Sequence, residues 1–71
     1  KRAYADARDV LSVALTINDE DVACNVQWAE LMTLMGRFPQ ASRAWRRVMR
    51  LDRGGTHRRE AEEALAALPD G

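Results

Sequence analysis

Few residues of this chain carry side chains able to do chemistry, and their spacing decides what kind it would be. His57 is the only histidine, and it stands beside Arg58 and Arg59. Proton transfer needs a group oriented by a partner, usually a carboxylate, with a nucleophile or substrate proton in reach, and His57 reads as lacking both. Asp6 and Asp9, three apart, read as ordinary helix acids. Cys24 is alone, so no intrachain disulfide and no cysteine-based metal site can form. Gly54-Gly55 lacks the companions of a phosphate-cradling loop. The expectation is a protein that is not an enzyme, with no cofactor and no metal.

Charge offers a second kind of chemistry. Eleven basic and eleven acidic residues balance, so no global pull toward nucleic acid or membrane exists. The distribution is uneven. Residues 1–30 carry a net −3, residues 31–59 a net +7 and residues 60–71 a net −4. Arg43, Arg46, Arg47 and Arg50 recur at three- and four-residue steps, a helix edge able to lie against phosphates. Asp52, Glu60, Glu62 and Glu63 are at hand to neutralise it, and a solvated face with local ion pairs is the favoured reading. Nucleic-acid binding through this basic surface is kept as the alternative and is disfavoured. The stretch from Ala29 to Arg50 is too widely spaced for a DNA-reading helix-turn-helix, since Gly36 follows Ala29 by seven residues.

These side chains must be positioned by helices. Ala3, Tyr4, Ala7, Val10, Leu11, Ala14 and Ile17 predict one apolar stripe. Asn18-Asp19-Glu20-Asp21 interrupts it with turn and N-cap residues. A second helix is expected from Val22 to Met35, stopped by Gly36, which tolerates a left-handed conformation. Pro39 opens a third, whose stripe is Phe38, Ala41, Ala44, Trp45, Val48, Met49 and Leu51. With so short a link the two helices form an antiparallel hairpin. Gly54-Gly55 breaks the chain again, Thr56 is the expected N-cap of a fourth helix carrying Ala61, Ala64, Leu65 and Leu68, and Pro69-Asp70-Gly71 ends it. No strand pattern is present, so the fold class is all-α. Met32, Met35 and Met49 read as core filler.

A fixed step of 34 residues links the two stripes: Tyr4 with Phe38, Ala7 with Ala41, Leu11 with Trp45, Ala14 with Val48 and Ile17 with Leu51. Such a step marks stacked helical hairpins, none of which can bury its apolar face alone. Trp28-Ala29 resembles the large-then-small pair of the tetratricopeptide repeat, Gly36-Arg37-Phe38 its glycine-any-aromatic turn, Ala41 its small crossing residue, Trp45 its large aromatic and Val48 its small residue near the repeat's end. Arg53 departs from the family's usual proline, and Glu62-Glu63 fall where a further repeat would repeat Trp28-Ala29.

The resemblance implies a short α-solenoid forming a single domain over 1–71. Residues 1–21 would hold the second helix of a partial repeat, 22–55 a full repeat and 56–69 a solvating end helix. It further implies a protein-interaction scaffold whose concave face takes a peptide or partner helix. The facing positions are Ala23, Val26, Gln27, Glu30 and Thr33, continued by Glu60 and Ala64 on the end helix. Some family members grip a carboxylate on this face; an acid at Glu30 would repel one, so a basic or apolar ligand is expected. Trp28, Ala29, Gly36, Phe38, Ala41 and Trp45 are expected to be structural.

Repeat stacks usually need about three or more units, and the chain begins at Lys1 with no initiator methionine. It therefore reads as a piece of a longer protein, or as one that self-associates through its open N-terminal face, burying Tyr4 between copies. No run is apolar enough for a membrane span, and no signal peptide is visible. A lone thiol suits a reducing compartment, which slightly favours the cytoplasm. The Ala- and Arg-rich composition points to a bacterial source.

Overall fold

Four α-helices and no strand occur among the described residues: α1 (Arg2–Ile17), α2 (Val22–Leu34), α3 (Phe38–Leu51) and α4 (Thr56–Ala67). The structure, a computed structural model, describes residues 2–69, the side chain of Arg2 excepted. Lys1 and the Asp70-Gly71 part of the expected stop lie outside them.

Each boundary has a local cause. Asp21 caps α2, its carboxylate accepting from the Cys24 amide at 3.1 Å. Asn25 pins the same turn from inside the helix: its side-chain amide donates to the carbonyls of Asp19 and Asp21 at 3.0 and 2.8 Å, which lets it be buried without cost to its polar group. At the other end of α2 the Arg37 amide returns to the Met32 carbonyl and the Gly36 amide to Thr33, the two bonds of a Schellman turn. Gly36 supplies the left-handed residue this turn needs, with φ +76°. Pro39 lies in the first turn of α3, where no amide hydrogen is required.

The start of α4 departs from expectation. Thr56 is the first helical residue and caps nothing; Gly55 precedes the helix in extended backbone. The Asp52 carboxylate, arriving from the end of α3, accepts from the His57 amide at 3.2 Å instead. A Cβ on Gly55 would collide with that carboxylate, so glycine here makes room for a cap from another helix.

Consecutive helices pack as antiparallel-type hairpins, α1 on α2, α2 on α3 and α3 on α4, and α2 also touches α4. No Cα of α1 comes within 8 Å of α3 among the described residues, so the bundle is closed on the α2–α4 side and parted on the other. The core joins Val26, Ala29, Leu31 and Met32 of α2 to Ala41, Ala44, Trp45 and Val48 of α3, with Ala61 of α4 and Leu68 just past its end. Ala29, Ala41 and Ala61 are wholly buried; small side chains at these crossings bring the backbones close and leave room for Trp45. Trp28, expected to be buried like Trp45, is only half-buried.

The first helix corrects its predicted stripe. Ala7 and Leu11 pack against the core, but Val10 and Ile17 are exposed, at 69% and 81%, and Tyr4 is exposed too. Among the described residues only α2 packs on α1, so one narrow face is covered and Tyr4, Val10, Val13 and Ile17 lie open. Within the 34-residue echo, Ala7 with Ala41 and Leu11 with Trp45 pack at the core, whereas Tyr4 and Ile17 of the outer pairs are exposed.

Candidate functional site

The surface formed by α2 and α4 holds a groove of about 510 Å³. From α2 come Glu30, Thr33 and Leu34, from α3 Phe38 and Trp45, and from α4 Ala64 and Ala67, with Leu68 and Pro69 closing the end. Its walls are mostly apolar, and Leu34 is 65% exposed, an open aliphatic side chain at the edge. Trp45 reaches this floor while remaining 3% exposed, and its indole Nε1 donates to the Thr33 hydroxyl at 3.4 Å. Thr33 in turn donates to the Ala29 carbonyl at 2.9 Å.

Acid chemistry gathers at one rim. Glu30 of α2 and Glu60 of α4 are near enough for each carboxyl to act on the other. Partial burial, then the neighbouring Glu60 carboxyl, hold the Glu30 carboxyl above its ordinary pKa, while His57 pulls the other way. His57 Nδ1 lies 3.2 Å from a Glu60 oxygen, so the histidine does have a carboxylate partner, contrary to its reading in the sequence. The rim is acidic, Glu30 and Glu60 standing beside apolar walls with His57 bonded to Glu60, and it suits the ammonium or guanidinium of a ligand.

Of the positions expected on the concave face, Glu30, Thr33 and Ala64 line this groove and Glu60 joins its rim. Ala23 and Gln27 are exposed on α2 but do not line it. Val26 is a correction. It is 6% exposed and belongs to the core, because α2 packs against all three other helices and has little free surface to offer. Leu34, Phe38, Ala67 and Leu68 were not singled out from the sequence as groove residues. Phe38 and Leu68 read as core, and only their place at the groove's end reveals a second role.

The opposite face holds a cleft of about 490 Å³, in the gap where α1 and α3 part. Leu15, Trp28 and Ala44 give it an apolar lining, and Arg43, Arg46, Arg47 and Arg50 a cationic one. Three of the four acids expected to neutralise these arginines are engaged elsewhere, Asp52 on the His57 amide, Glu60 on His57 and Glu62 on Arg58 at 3.3 Å, and Glu63 is exposed without an ion pair to them. Asp19 alone among the described residues reaches the belt, on Arg47 at 3.1 Å. Arg46 donates to the buried Ser42 hydroxyl at 2.6 Å.

No cluster of three or more potential metal ligands occurs among the described residues, and no helix there is long and apolar enough to cross a membrane. Compared with protein-family models, with curated proteins and with solved structures, the chain gives no significant match.

Proposed function

We propose that this chain is a tetratricopeptide-like interaction module without catalytic activity, and that its α2–α4 groove binds a peptide segment bearing an apolar side chain next to a lysine or arginine. One observation carries the reading: the Glu30–Glu60 pair stands at the rim of an apolar groove. The apolar anchor would fill the space between Leu34, Trp45 and Ala67, and the cation would sit against the Glu30 and Glu60 carboxylates. Such a contact couples burial of apolar surface to a charge-assisted hydrogen bond. The 34-residue echo and the small residues at the helix crossings support the repeat assignment.

The test is fluorescence anisotropy with two labelled peptides that share a leucine anchor and differ in carrying lysine or glutamate beside it. The lysine peptide is expected to bind about tenfold tighter or better, and Glu30→Arg to reverse the preference. Equal binding of the two peptides, or a preference untouched by Glu30→Arg, rejects the groove.

A further inference from the structure

We infer that the cleft between α1 and α3 is a second docking site, independent of the groove, and that its occupant is an acidic amphipathic helix of a partner protein. The cleft exists because α1 and α3 do not pack on one another, which leaves Trp28 of α2 half-buried at its base. Its lining has two parts that a ligand must match together. Leu15, Trp28 and Ala44 ask for apolar side chains; Arg43, Arg47 and Arg50 ask for anions.

The arginines stand at i, i+4 and i+7, a ridge about 10 Å long on the helix rise of 1.5 Å per residue. Acidic side chains at the same spacing on a facing helix meet such a ridge in register, each guanidinium offering a planar pair of donors to a carboxylate. The cleft already holds one carboxylate in that role: Asp19 sits on Arg47 at 3.1 Å. Arg43 and Arg50 have no acidic partner among the described residues and are exposed. An apolar lining favours an amphipathic helix over a phosphate backbone, which would set its charged groups against Leu15 and Trp28.

The experiment uses a short labelled helical peptide with leucines on one stripe and glutamates flanking it at i, i+4 and i+7. Its glutamine counterpart and a labelled oligothymidylate serve as rival probes, all by anisotropy at low and high salt. The glutamate peptide is expected to bind about tenfold tighter or better than the glutamine peptide, to weaken with salt and to quench Trp28. Arg43→Glu with Arg50→Glu should remove that preference, and Glu30→Arg on the other face should leave it intact. Arg47 is left in place so that its Asp19 pair is kept, and helical circular dichroism of the double variant shows that it folds. Three results would overturn the inference: equal binding of the two peptides, binding by neither, or tighter binding of the oligonucleotide. Failure here leaves the groove's own lysine preference unaffected, so the two sites are judged separately.

Discussion

Trp45 of α3 donates through its indole to Thr33 of α2, 3.4 Å away, and so ties the centre of the core to the wall of the groove. One side chain thus serves both stability and surface. Trp45→Ala is expected to cost about 3–5 kcal/mol, the usual range for a buried large aromatic. Thr33→Val, which removes only the hydroxyl, should cost about 0.5–1.5 kcal/mol. Urea unfolding of the two variants separates packing from hydrogen bonding. Trp28→Ala should cost less than Trp45→Ala, since Trp28 is only half-buried.

Glu30, its carboxyl raised by burial and then by neighbouring Glu60, makes stability depend on pH. An acid whose pKa is raised in the folded state binds its proton more tightly there than in the unfolded chain. Its contribution therefore favours folding on the acid side and is lost as pH rises from the ordinary glutamate value through the raised one. Glu30→Gln should remove that slope and raise the melting temperature at neutral pH, as followed by thermal circular dichroism across the carboxylate range. A variant with the wild-type slope would show that Glu30 does not carry it.

Asp52 links the end of α3 to the start of α4, so its loss should loosen the last helix before the others. Asp52→Ala is expected to cost about 0.5–2 kcal/mol, the range for a lost helix cap. Gly55→Ala should act in the same direction because a Cβ there displaces the Asp52 carboxylate. Amide hydrogen exchange should show the loss first at His57 and the residues following it.

At Gly36 the requirement is backbone conformation alone, since open space surrounds the missing Cβ. With φ at +76°, Gly36→Ala should cost about 1–2 kcal/mol through strain. Equilibrium unfolding at matched temperature measures it.

Val13 on α1 is 60% exposed, and nothing described in the chain covers it. In a monomer Val13→Glu should change stability by no more than about 0.5 kcal/mol. A larger loss, with a mass that falls on dilution or in the variant, would mean that copies pair through this face. Sedimentation across a concentration series reads both.

What the sequence made legible follows from how local each feature is. The four helices, the Gly36 turn and the close crossings at Ala29 and Ala41 are set by neighbours within one or two turns, and the residues announce them. Glu30 and Glu60 were both placed on the groove face through the repeat resemblance, but not as neighbours, since the 34-residue step sets Glu60 against Val26 and Ala64 against Glu30. Val26 was misread because α2 is enclosed by three helices, and apolar residues on a helix covered on most sides do not mark a single face. Tyr4, Val10 and Ile17 erred in the opposite direction: their spacing is that of a buried stripe, but only one helix packs on α1. The Asp52 cap and the absence of an ion pair on Arg43 and Arg50 among the described residues depend on side chains meeting across the fold, which no spacing along the chain encodes.

The two tryptophans report on opposite surfaces, Trp45 on the groove and Trp28 on the arginine cleft. The most direct measurement is therefore a nitrogen–proton correlation spectrum, followed at the two indole resonances during titration with the leucine–lysine peptide. Saturable movement of the Trp45 indole, with the Trp28 indole still and the response lost in Glu30→Arg, is the result expected of a peptide held in the α2–α4 groove. Movement of the Trp28 indole alone, or of neither at a concentration where anisotropy reports binding, would contradict it.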